Sequence, residues 1–134
     1  MLFRSLDAYG GVGLFSAALD RPDAVLVESS PSASADARHN LPRAQIEEVP
    51  FERWEPRHID LAVVDPARAG LGVGAAQVVA ATNAERIVLV SCDPVAMARD
   101  TALLVGHGYQ HRSSVVLDLF PHTPHVEVVT VLDR

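Results

Sequence analysis

Three short runs of this chain are apolar without interruption: Ala24 to Val27, Leu61 to Val64 and Ile87 to Val90. A strand with one wet face alternates apolar and polar residues, so a continuous run reads as a strand buried on both faces, as in a parallel sheet covered by helices. Segments of helical pattern lie around these runs, at Val12 to Leu19, Ser34 to Asn40, Val73 to Asn83 and Pro94 to Gly106. This β-α-β-α order predicts an α/β sandwich built on a mostly parallel sheet. Leu2 to Ala8 reads as a further strand. Two β-branched stretches, around Val115 to Leu119 and Val126 to Leu132, follow the last helix with only the loop LFPHTPH between them. The sheet is therefore expected to end in an antiparallel, hairpin-like pair. Segment 42–58 is the least readable, with one short strand expected around Ala44 to Val49.

The length of 134 residues fits a single domain, 1–134, and a hydrophobic content of 49% is enough for a core. The net charge of −6 is the wrong sign for a self-sufficient nucleic-acid binder, which carries a basic footprint. A catalytic domain whose grip on a nucleic acid lies elsewhere remains compatible with it. A single cysteine rules out an internal disulfide and fits a cytoplasmic setting. The start, MLFRSLDAYGG, carries no secretory pattern, and no apolar stretch has the length of a membrane span.

The first strand runs into Asp7-Ala-Tyr-Gly-Gly-Val-Gly13, which opens a helix. Gly11 and Gly13 let the backbone turn tightly and approach a ligand closely. Glu28, at the end of the next apolar run, is placed to accept both hydroxyls of a ribose. A GxG turn alone is equally well explained by strand-to-helix packing. The strand before it and the acidic strand end after it shift the balance to a nucleoside site. Ser16 stands where a dinucleotide fingerprint has its third glycine, and no phosphate-gripping residue is evident. S-adenosylmethionine, with a ribose and an adenine but no phosphate, fits better.

Two other strand ends carry chemistry. Asp65-Pro-Ala-Arg-Ala-Gly70 closes one apolar run, and Ser91-Cys-Asp-Pro94 closes the next. Ligands of open α/β sheets bind beyond the carboxyl ends of the strands, so Gly11, Gly13, Asp65 and Cys92 are expected to converge on one crevice. Asp93 suits a helix N-cap and Pro94 the first helical position. The commoner fate of a lone cysteine is a small buried apolar residue; a strand end before a helix start favours a reactive thiol. Glu127 begins the apolar strand VEVVTVL, where a carboxylate is costly unless exposed, paired or functional. His122 and His125 flank it, but their spacing matches no strong zinc pattern, and no metal site is expected. His39, His58, His107 and His111 read as surface or loop residues.

The segments LDAYGGVGLFSAAL, VVDPARAGL, IVLVSCDPVAMARD and DLFPHTPHVEVV together resemble the C-terminal catalytic domain of the tRNA and rRNA uracil-5-methyltransferases. They occur in that family's order and cover most of the chain; SCDP with FPHTPHVE is the specific part. The resemblance implies a Rossmann-like class I methyltransferase sandwich, mostly parallel with an antiparallel C-terminal strand. It also implies S-adenosylmethionine as cofactor and transfer of its methyl group to C5 of a uridine in RNA. Cys92 matches the nucleophile, Glu127 the base and Asp65 the motif aspartate that positions uracil and cofactor. Gly11, Gly13 and Glu28 match cofactor-site positions, and Tyr9 is expected to line the same pocket. The family's DPPR reads DPAR here, so Ala67 lacks the fixed φ of proline.

Relatives carry an N-terminal RNA-binding β-barrel that this sequence lacks, which implies a catalytic domain shortened at its N-terminus and an additional region for RNA. Neither DNA nor a membrane is an expected partner. An adenine or glutamine amino-methyltransferase would place an aromatic where Arg68 stands. An RNA cytosine-5 methyltransferase would have Pro-Cys where Asp65-Pro66 stands. The remaining alternative is an inactive cofactor-binding or interaction module of the same fold.

Overall fold

The computed structural model describes residues 2–134; Met1, the first residue of the expected domain, lies outside the described residues. In chain order the elements are β1 (Ser5–Ala8), α1 (Leu14–Ala18), β2 (Val25–Glu28), α2 (Pro31–Asn40) and β3 (Gln45–Glu48), then a 3-10 turn (Phe51–Arg53). They continue as β4 (Leu61–Val64), α3 (Gly72–Ala81), β5 (Arg86–Ser91), α4 (Pro94–Gly106), β6 (Gln110–Leu117) and β7 (Glu127–Asp133). The strands form one seven-stranded sheet in the order β3-β2-β1-β4-β5-β7-β6. The first five are parallel, and β7 runs antiparallel to both β5 and β6. The expected α/β architecture and its antiparallel end are both present.

Side chains alternate across the sheet, so each strand feeds two layers. Leu6, Ala8, Ala62, Val64, Ile87, Leu89 and Leu132 point to one face. They pack there with Ala75, Ala76 and Val79 of α3, Leu104 of α4, and Phe51 and Trp54 of the 3-10 turn region. On the other face, Leu26 packs against Ala37 and Leu41 at the end of α2. Further along that face Val88, Val90, Val129 and Val131 are only half-buried.

The helix starts follow local chemistry. Ser30 caps α2, its Oγ accepting the Ala33 amide at 3.4 Å, with Pro31 in the first helical position. Asp93 caps α4 as expected, its Oδ1 accepting the Ala96 amide at 2.9 Å, again with a proline at the start. Differences from the sequence reading lie at element ends. β1 starts at Ser5, not Leu2, because its partner β4 begins opposite Ser5, at Leu61. In segment 42–58 the short strand expected around Ala44 to Val49 is present as β3, Gln45–Glu48, on the sheet edge beside β2. β6 starts earlier than its apolar stretch suggests: it covers eight residues from Gln110, all exposed, and is held by pairing with β7 alone.

Candidate functional site

The glycine turn joins β1 to α1 at the carboxyl end of the sheet. Gly11 and Gly13 have φ of 56° and 94°, the left-handed region that favours glycine. Gly13 is also hemmed in, because a Cβ there would stand 2.5 Å from Leu41 Cδ1. At Gly11 a Cβ would meet nothing within 4 Å, so this backbone faces open space, as a ligand-facing backbone must. Glu28 braces the turn. Its Oε2 accepts the Gly11 amide at 2.9 Å and its Oε1 the Ser30 amide at 2.8 Å. The acidic strand end thus already holds two backbone donors, and its remaining lone pairs are free for hydroxyls.

Tyr9, beside these glycines, has φ of 58°, unusual for a bulky residue. Its ring lies 5.1 Å from that of Phe51, which stacks on Trp54. Burial, reinforced by the Glu52 carboxylate, pushes the pKa of its hydroxyl above the usual phenol range, so the hydroxyl stays protonated.

Asp65 follows β4 and Glu127 begins β7. Both line a cavity of about 260 Å³ whose apolar walls are Phe15, Val90, Leu117, Leu119 and Val129. Burial first, then the Glu127 charge and the Asp7 charge, push the Asp65 carboxyl up to about 6. Cys92 is half-buried and is not part of that lining. It stands next to it in the ladder: Ser91 pairs with Val128 in the antiparallel β5–β7 register, so Cys92 and Glu127 are the next positions outward on their strands. Asp65, Cys92 and Glu127 therefore gather at one end of neighbouring strands, with the glycine turn on the adjacent β1.

His122 and His125 are exposed, as are His39, His58, His107 and His111. Among the described residues no group of three His, Cys, Asp or Glu is arranged to hold a metal ion, and no helix is long and apolar enough to cross a membrane.

Two acidic residues escaped the sequence reading. Asp7, 2% exposed, sits in the middle of β1. Its Oδ2 accepts the Ser16 amide at 3.1 Å and the Ser16 hydroxyl at 2.7 Å, which pins α1 to the strand. Its Oδ1 has no partner. Burial raises its carboxyl above the usual range, and the Ser16 bonds oppose that rise. A carboxylate between the apolar Leu6 and Ala8 of the strand was the available signal. Asp100, on α4, is fully buried; it sits in a polar stretch of helix sequence and gave no signal.

This sheet order with a glycine turn after the first strand defines the class I methyltransferase fold. The chain superimposes with a TM-score of 0.77 on a TehB-like SAM-dependent methyltransferase from Corynebacterium glutamicum, at 16% identity over 98% of this chain and 80% of that one, a likeness of fold alone. The chain belongs to the tRNA (uracil-5-)-methyltransferase family, whose sequence model matches residues 32–134.

Among solved structures, the tRNA (uracil-54, C5)-methyltransferase of Pyrococcus abyssi, in complex with S-adenosyl-L-homocysteine, matches with a TM-score of 0.86 at 34% identity. That match covers 98% of this chain and 34% of that one. An uncharacterised RNA methyltransferase of Streptomyces coelicolor is 43% identical over 96% of this chain and 31% of its own length. A 23S rRNA (uracil(1939)-C(5))-methyltransferase of Acinetobacter baumannii is 35% identical over 98% of this chain and 32% of its own. The chain thus spans about a third of the length of these relatives.

Proposed function

We propose that this chain is the catalytic domain, residues 1–134, of an enzyme that methylates C5 of a uridine in tRNA or rRNA with S-adenosylmethionine. The observation that carries the reading is the gathering of Asp65, Cys92 and Glu127 at one sheet end, beside a glycine turn braced by an acidic residue. The cofactor fits that turn: Gly11 leaves open space where a ligand would lie, and Glu28 keeps free lone pairs beside it. Gly11 and Gly13 would give close backbone approach, Glu28 would take the ribose hydroxyls, and Tyr9 and Asp65 would line the pocket. When bound, the cofactor supplies an electrophilic methyl group on a sulfonium. An RNA-gripping region beyond these residues supplies the positive charge that this chain, at −6, lacks; the setting is the cytoplasm, without a DNA or membrane partner.

The chemistry assigned to the chain's own residues follows from uracil, whose C5 is a weak nucleophile. The Cys92 thiolate adds to C6, and the displaced electron pair forms an enolate that makes C5 nucleophilic. Asp65 holds the ring in place. Once C5 carries the methyl group, Glu127 takes the C5 proton. The C–H electrons then restore the C5–C6 double bond and expel the Cys92 thiolate. Cys92 thus returns unchanged, and Glu127 hands its proton to water.

The test is a calorimetric titration with S-adenosylhomocysteine, followed by covalent trapping on 5-fluorouridine RNA. Wild type should bind the ligand one to one and form an adduct. Cys92→Ala should bind as well but form none and methylate nothing, whereas Glu127→Gln should accumulate an adduct on ordinary uridine RNA. Full activity in Cys92→Ala would sink the mechanism. The second reading is an inactive cofactor-binding module of the same fold; ligand binding without any adduct would point there.

A further inference from the structure

Asp100 lies on α4, two turns beyond Cys92, and is fully buried, yet the mechanism above gives it no part. Its Oδ2 accepts the Leu71 amide at 2.7 Å and its Oδ1 the Gly72 amide at 3.2 Å. These two amides open α3, whose own N-cap residue, Leu71, provides no side-chain cap. A carboxylate from a different helix therefore does the capping and meets the positive end of α3. Arg99 completes the attachment. Its guanidinium bonds Asp100 Oδ1 through Nε at 3.2 Å and Nη2 at 2.9 Å, and Nη2 also donates to the Ala69 carbonyl at 2.6 Å.

Three residues between the loop after Asp65 and the first residue of α3 are thus tied to α4: Ala69 by Arg99, and Leu71 and Gly72 by Asp100. Between them Gly70 has φ of 79°, and a Cβ there would collide with both Asp100 Oδ2 and Arg99 Nη2. The loop backbone lies so close to the pair that only glycine fits. At one end this loop carries Asp65; Cys92 stands immediately before Asp93, the N-cap of α4.

We infer that Asp100, supported by Arg99, is a positioning residue that fixes the Asp65 loop relative to the Cys92 helix, so that both groups meet the same substrate ring. The inference rests on the function proposed above for its purpose, but not for its geometry. A plain core role would lower the stability of the whole fold evenly. A positioning role should act on one loop and on one chemical step.

The experiment compares wild type with Asp100→Asn and Arg99→Leu, each well below its melting temperature. Amide hydrogen exchange reads residues 66–72, nuclear magnetic resonance follows the Asp65 carboxyl, and a 5-fluorouridine RNA reports the rate of Cys92 adduct formation. Asp100→Asn should speed exchange in 66–72 at least tenfold while β1 and β4 stay protected. The Asp65 midpoint should fall toward the ordinary carboxylate range as water enters. Adduct formation should slow at least tenfold, with affinity for S-adenosylhomocysteine within threefold of wild type. Arg99→Leu should show the same pattern more weakly, and it decides the matter if Asp100→Asn does not fold. Unchanged loop exchange and Asp65 midpoint in a folded variant would overturn the inference. If wild type itself forms no adduct, the proposed function fails, and exchange and midpoint alone then judge the attachment of the loop.

Discussion

Asp65 carries a testable sign. Its carboxyl titrates near about 6 in the folded chain against an ordinary 3.8, so the folded state holds this proton to higher pH than the unfolded state. Stability therefore falls as pH rises from about 4 to about 6, and the deficit persists above that range. Because Asp65 is half-buried, solvent screening cuts the effect to ~1 kcal/mol. Asp65→Asn should melt roughly 3 °C above wild type at pH 8 and level with it below pH 4, as differential scanning calorimetry would reveal. Glu127→Gln should lower the Asp65 midpoint only in part, since burial is the larger cause; a full return to 3.8 would reverse that ranking. Gly13→Ala combines a left-handed φ with a contact against Leu41 and should cost about 2–4 kcal/mol in urea unfolding.

Among the elements, those recovered best from the sequence bury two faces or carry their own start signal. β2, β4 and β5 appear as continuous apolar runs, and α4 begins where Asp93 and Pro94 announce it. Removing that cap with Asp93→Ala should cost about 1 kcal/mol, measured by chemical denaturation. β3, with the sequence QIEE, and β6, with none of its eight residues buried, are strands through their neighbours' hydrogen bonds. The sequence marked β3 as one short strand within 44–49 and only the C-terminal part of β6, because the Gln110 end of β6 is held by a partner that lies elsewhere in the chain. The site divides along the same line. Gly11, Gly13, Glu28, Asp65, Cys92 and Glu127 stand at strand ends and turns, where local sequence marks a change of element. Asp100 acts 29 residues away on Leu71, and its own surroundings along the helix carry no trace of that.

At the level of the whole molecule, protection should fall from the centre of the sheet outward. β1 and β4 are paired on both sides and lie over the α3 layer, whereas β6 is an exposed edge. Native-state hydrogen exchange should find the slowest amides in β1, β4 and β5 and the fastest strand amides in β6; equal protection in β6 would mean that the edge is covered in solution. The strand order also has a consequence for synthesis. β1, an interior strand paired on both sides, leaves the ribosome before either neighbour, and β4 begins only at Leu61. At about 5–20 residues per second, the nascent β1 waits roughly three to ten seconds for that partner. An unpaired strand invites intermolecular pairing, and a charge within it discourages this. Asp7, which the folded sheet buries at a cost, is hydrated and ionised throughout that interval. It would then act as a gatekeeper for the newborn chain, and Asp7→Val should raise the share of newly made protein found in inclusion bodies even if the finished fold tolerates it.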